Sequence, residues 1–206
     1  TNLAELSRRL KPRVPDPMLP PLILMTDRQR LADPISIVET LPHGSAVILR
    51  HYGDPDRELL AFRLAARCRA LGLRLLISED ISLAARVRAH GLHLPETRTR
   101  MPPRTWRTCA RNGWLVTAAA HSLKAIMSAA EAGVNAVLLS SVFPTKSHPG
   151  AAAIGSLRFA AWVRRSPLPV YALGGVDVDS ARRLCSSGAA GFAGIGGFTG
   201  SGRTVR

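Results

Sequence analysis

The chain has 206 residues, 46% of them apolar, which is enough for one well-buried domain and short for a barrel of about 250 residues. No apolar run reaches the roughly 18–20 residues that cross a bilayer, and residues 1–21 lack the apolar core of a secretion signal, so a cytoplasmic location is expected. The net charge of +14 and pI near 11.4 would suit a polyanion binder, but the 25 Arg and 3 Lys are spread along the chain, which disfavours nucleic acid as a partner.

Residues 1–21 read as an N-terminal arm: a short amphipathic helix carrying Leu3, Leu6 and Leu10, then a Pro-rich extended piece. From residue 22 strand and helix patterns alternate. Apolar runs at Leu22–Met25, Ala46–Leu49, Leu73–Ile77 and Gly91–Leu94 make four strands, and Trp114–Ala118, Ala136–Leu139, Val170–Leu173 and Phe192–Ile195 make four more. They are short and almost continuously apolar, as parallel strands buried on both faces are. Helical spacing fills the gaps at Pro34–Leu41, Asp56–Leu71, Ser82–Ala89, Pro103–Asn112, Leu123–Ala132, Leu157–Arg165 and Val178–Ser187. The pattern predicts a single-domain (β/α)8 TIM barrel over residues 22–200 with a tail at 201–206. A doubly wound open sheet is the rival, because spacing alone does not show closure. Cys68, Cys109 and Cys185 have neither metal-ligand nor disulfide spacing and read as small buried side chains.

Function in a barrel sits at the C-terminal ends of the strands. The last two strand patterns each close on a glycine pair, Gly174-Gly175 and Gly196-Gly197, with a helical pattern following the first pair. Such pairs let bare backbone N–H groups approach an anion, and a helix N-terminus adds its dipole, so they predict a phosphate site; glycines that only turn the chain are the alternative. His121 follows three alanines and precedes Ser122, a good helix N-cap, so it is the candidate acid/base group, with a merely hydrogen-bonded loop histidine as its rival. Arg50 ends the second strand and is a candidate anion clamp or a solvated arginine. His93, inside its strand, is expected to fill the barrel and make structural hydrogen bonds.

The segments ILMTD (23–27), AVILR (46–50), GLHLP (91–95), AHSLKAIMSAAEAGVNAVLLSSVFPT (120–145), PVYALGGV (169–176) and GAAGFAGIGG (188–197) resemble the thiamine phosphate synthase and TenI-like group. The resemblance implies a barrel that binds thiazole phosphate at the two glycine loops. It also exposes departures. The synthase Gln-x-Arg-x-Lys reads Ile48, Arg50 and Tyr52; its Asn-Asp reads Ser78-Glu79; its second magnesium-binding Asp falls near Arg98. Its Thr-x-Thr-Lys reads Thr145, Ser147 and His148, and its strand-eight serine is Gly196.

The TenI-like branch, which resembles thiazole tautomerases, needs neither metal nor pyrophosphate, and its His-Ser matches His121-Ser122. The leading expectation is therefore a thiazole tautomerase with His121 as acid/base. Arg50, Ser122, Thr145, Ser147, Gly174, Gly175, Gly196 and Gly197 would contact the substrate, and Ser78 and His148 stand where the synthases hold pyrophosphate. No cofactor is expected, magnesium only if synthase activity is retained, with Glu79 as a weak metal candidate. The alternatives are a magnesium-dependent thiamine phosphate synthase and a non-catalytic thiamine-metabolite binder or regulator. A homodimer through the arm or exposed apolar positions is the expected form of any self-association.

Overall fold

The computed structural model describes residues 2–31, 33–100, 106–145, 150 and 152–196. Eight parallel strands close into a barrel in chain order, which decides for the TIM barrel over the open sheet. They are β1 Leu22–Met25, β2 Ala46–Leu49, β3 Arg74–Ser78, β4 Gly91–Leu94, β5 Leu115–Ala120, β6 Ala136–Leu139, β7 Val170–Leu173 and β8 Gly191–Gly194. β1 pairs with both β2 and β8, with Ile23 opposite Ala46 on one side and Ala193 on the other. The helices are α1 Leu3–Arg8, α2 Pro34–Val38, α3 Arg57–Ala70, α4 Ile81–Arg86, α5 Trp106–Arg111, α6 Leu123–Ala132, α7 Ser156–Arg165 and α8 Val178–Arg182. A 3-10 turn covers Glu96–Arg100.

Alternation along the strands sorts two cores. Ile23, Met25, Ile48, Leu76, Leu138 and Tyr171 fill the lumen, while Leu24, Val47, Leu75, Leu92 and Val137 face the helices. Tyr171 closes the base of the lumen, and its hydroxyl donates to the Pro20 carbonyl at 2.8 Å.

The arm belongs to the barrel. Leu3, Leu6 and Leu10 are buried in the outer core, and α1 packs on β1, β8 and α8, covering the seam where the barrel closes. The backbone N–H of Arg13 donates to Gly188 and that of Phe192 to Pro21. The arm leucines are therefore spent on this chain's own core and offer no apolar face to a second copy. Several expected helices are shorter than their patterns: α8 stops at Arg182, with turns running on to Gly188 at φ +84°. No helix among the described residues is long and apolar enough to cross a membrane.

Candidate active site

The parity that fills the lumen also builds the mouth. Two residues past Ile48 comes Arg50, two past Gly91 comes His93, and two past Ala119 comes His121. All three line a cavity of about 490 Å³ at the C-terminal ends of the strands, together with Tyr52, Thr145 and Gly174.

His121 sits at the rim, 58% exposed, and is held by a carboxylate that is only 17% exposed. Glu96 Oε2 accepts from both the His121 backbone N–H at 3.0 Å and the ring Nδ1–H at 2.8 Å. With the proton fixed on Nδ1, Nε2 carries the lone pair, which is the geometry of an oriented general base. Glu96, which holds this ring, is the candidate that sequence reasoning left out of the site. The structure's register brings it there: Leu94 pairs with Ala118, so Glu96, two past Leu94, and His121, three past Ala118, leave neighbouring strands side by side.

His93 lies on the floor of the cavity. Thr117 Oγ1 donates to the Leu92 carbonyl at 3.4 Å, which leaves it to accept His93 Nδ1–H at 2.9 Å. Burial, with a smaller push from Arg50, lowers the His93 pKa to about 3, so the ring is neutral at working pH. The expected structural hydrogen bond is present, and the ring is in addition a wall of the cavity.

Arg50 is fixed from β1. Its Nε donates to the Thr26 carbonyl at 3.1 Å and its Nη2 pairs with Asp27 at 2.7 Å. Thr26 Oγ1 accepts the Arg50 backbone N–H at 3.1 Å and lies 2.9 Å from His51 Nδ1. The guanidinium is thus oriented, with part of its charge already answered by Asp27.

Gly174 lines the cavity; Gly175 packs behind it. They have φ of +89° and +64°, and a Cβ on Gly175 would lie 2.4 Å from the Pro144 carbonyl oxygen. Glycine is required here for packing as well as for conformation. Their N–H groups donate to no carbonyl among the described residues, with Gly174 at the cavity wall and Gly175 behind it. The helix contribution differs from expectation: Asp177 caps α8 with its own carboxylate, accepting from Ser180 N–H at 2.8 Å, so that terminus already has its anion. Gly196 has open space around it.

The residues after β3 do not fit magnesium. Ser78 donates to the His93 carbonyl at 3.2 Å and is bonded by the Tyr52 hydroxyl. Glu79, at φ +62°, has Arg98 Nε 3.5 Å from its carboxylate. Asp80 caps α4 through Leu83 N–H at 2.8 Å and has Arg57 at 3.5 Å. A hard divalent cation needs carboxylates facing it together; here the second acid is replaced by an arginine that lies against the first. Among the described residues no group of three His, Cys, Asp or Glu is placed to hold a metal.

Of the other sequence-derived candidates, Thr145 reaches the cavity, whereas Ser122 caps α6 by accepting Ala125 N–H at 3.1 Å. Ser78 is buried beneath Tyr52 rather than on the cavity wall. Ser147, His148 and Gly197 lie outside the described residues.

Residues 22–198 match the family model described as thiamine monophosphate synthase. The chain is 35% identical over 187 residues to a putative thiamine-phosphate synthase 2 of Aquifex aeolicus, covering 87% of this chain and 98% of that one. It is 28% identical over 190 residues to a thiamine-phosphate synthase of Bacillus velezensis, covering 84% and 80%. Among solved structures, the thiamine phosphate pyrophosphorylase of Pyrococcus furiosus superposes with a TM-score of 0.70 at 25% identity, covering 91% of this chain and 86% of that chain.

Proposed function

The chain belongs to the thiamine monophosphate synthase family, and from that premise we propose that its mouth cavity binds a thiazole phosphate and that His121 moves a proton on the heterocycle, a tautomerisation. One observation carries this reading: an imidazole at the rim oriented by a nearly buried carboxylate, His121 Nδ1 to Glu96 Oε2 at 2.8 Å, while the Glu79 carboxylate has Arg98 at 3.5 Å where magnesium would need a second acid.

The chemistry needs only this chain's residues. Nε2 of His121 takes a proton from a saturated ring carbon, and the electron pair of that C–H bond enters the ring. Glu96 stabilises the imidazolium so formed. The same proton returns to the other end of the conjugated system, leaving an aromatic isomer with every atom conserved. The free N–H groups of Gly174 and Gly175 suit the phosphate, and Arg50 suits a carboxylate on the ring. Neutral His93 on the floor receives the ring without competing as a charge. No cofactor is required.

A second reading is the synthase itself, favoured by the names of the relatives and by the retention of Arg50. It predicts condensation of thiazole phosphate with a pyrimidine pyrophosphate and release of pyrophosphate, dependent on magnesium. The pure protein is titrated calorimetrically with thiazole phosphate carboxylate, with and without magnesium, while its ultraviolet spectrum is followed. A magnesium-independent spectral change that His121→Ala abolishes supports the tautomerase. Condensation only with magnesium and the pyrimidine overturns it in favour of the synthase. Binding without turnover in either assay marks a metabolite binder.

A further inference from the structure

Some of the arginines that are scattered in sequence are brought by the fold to the end opposite the mouth. In a (β/α)8 barrel each helix runs back toward the N-terminal ends of the strands, so last turns and helix-to-strand loops share one face, the base. Five of the seven helices that follow strands carry arginine in the last turn: α3, α4, α5, α7 and α8. At the opposite face, Asp33, Asp56, Asp80 and Asp177 occupy N-cap positions. Helix dipoles favour this sorting of sign, but they do not neutralise the base.

At the base Arg67 pairs with Glu39, whereas Arg86 and Arg182, on helices of six and five residues, pair with the first-turn acids Glu58 and Asp179 and do not reach that face. Arg69, Arg74, Arg88 and Arg111 have no carboxylate partner among the described residues. Arg74 lines a second cavity of about 520 Å³ together with His90, Trp114, Asn135 and a single acid, Asp16, and Arg88 and Arg111 are the chain neighbours of its lining residues Ala89 and Ala110. Burial and then the charges of Arg74 and Arg69 hold the His90 imidazole below its ordinary pKa, so both guanidinium groups reach this spot. The Asn135 side-chain oxygen accepts Val116 N–H at 2.7 Å, which fixes that amide in the wall.

An exposed cationic rim around a cavity with an indole in its wall matches the chemistry of an unpaired polynucleotide, which offers phosphates at its backbone and flat rings between them. A lipid headgroup layer would meet the rim and leave the cavity unused. We propose that the base of the barrel is a binding site for single-stranded nucleic acid, with phosphates on Arg69, Arg88 and Arg111 and an unstacked base against Trp114. The site is at the opposite end from the mouth and does not depend on the reaction assigned there.

The test is fluorescence anisotropy of a labelled oligothymidylate or oligouridylate of about 20 nucleotides, titrated with the full chain at several salt concentrations. Three contacted phosphates give a fall in log affinity with log salt of slope about 2, at about 0.7 per phosphate. Arg69→Gln with Arg111→Gln lowers that slope by about 1.4. Trp114→Leu weakens binding about tenfold at unchanged slope. Lys124→Gln, in the first turn of α6 on the opposite face, changes neither. Trp114→Phe, which keeps most of the packing and an aromatic face, retains more affinity than Trp114→Leu, and thermal melts of each variant report its folding. The proposal is overturned by absence of binding at about 50 mM salt, where such contacts are strongest. It is also overturned if Lys124→Gln and the basal arginine pair lose affinity equally per charge, which is diffuse attraction to the whole molecule. Displacement of the oligonucleotide by phosphatidylglycerol vesicles, with Trp114→Leu binding like wild type, overturns it in favour of a membrane surface.

Discussion

Replacing Glu96 separates the orientation of His121 from its chemistry. Oε2 accepts two hydrogen bonds, from the backbone at 3.0 Å and from the ring at 2.8 Å. A hydrogen bond to a charged group contributes about 1.5–3 kcal/mol, but the ring is 58% exposed and water replaces part of what is lost. Discounted for that, the ring bond is worth about 1–2 kcal/mol, or about 5- to 30-fold in rate if it acts only on the oriented imidazole. Glu96→Ala should therefore lower kcat by about that factor, and Glu96→Gln, which keeps an acceptor and loses the charge, by about half as much in free energy. KM should hardly move, because Glu96 does not line the cavity. Nitrogen-15 spectra of the imidazole give a readout independent of turnover: the proton sits on Nδ1 in the wild type and distributes over both nitrogens in Glu96→Ala. If Glu96→Ala keeps kcat within about twofold while His121→Ala is inactive, the carboxylate does not position the base.

Three further outcomes follow from the geometry. Leu6 is fully buried under the closing seam, so Leu6→Ala should cost about 3 kcal/mol and lower Tm by about 6–12 °C by calorimetry, whereas an arm that merely rests on the surface would show almost no change. The His93 pKa of about 3 in the fold lies below 6.5 in the unfolded chain, so between those values the unfolded state binds more protons and stability falls as pH falls from about 6.5 toward 3. The full span corresponds to about 5 kcal/mol, and His93→Gln should flatten urea-unfolding free energies between about pH 4 and 6.5; an unchanged slope would mean that this ring is not protected from protons. Arg98→Asp places a second carboxylate beside Glu79 and should create manganese binding detectable by electron paramagnetic resonance. Equal manganese binding by the wild-type chain, lost in Glu79→Gln, would refute the account of Arg98 as the filler of the metal position.

Taken alone, the sequence determined the alternation of strands and helices and the residues that could face the mouth, because these depend on local periodicity; closure into a barrel it left open against the doubly wound sheet. The runs at Leu22–Met25 and Ala46–Leu49 are strands at the bounds their apolar pattern predicts, and the two-residue repeat carries Arg50, His93 and His121 inward. Only the tertiary structure decided which groups meet. Glu96 and His121 are 25 residues apart and touch only because β4 and β5 pair in one register. Ser122 read both as a helix N-cap and as a substrate contact, and its hydroxyl caps the helix that follows it. Arginines spread along the chain argued against nucleic acid as a partner, yet the returning chain brings Arg74 to the wall of a basal cavity and the charge of Arg69 to His90 beside it. Hydrophobic periodicity is written between neighbours in sequence, whereas charge and hydrogen-bond partners are set by distance in space, and closure of the barrel is what turns one into the other.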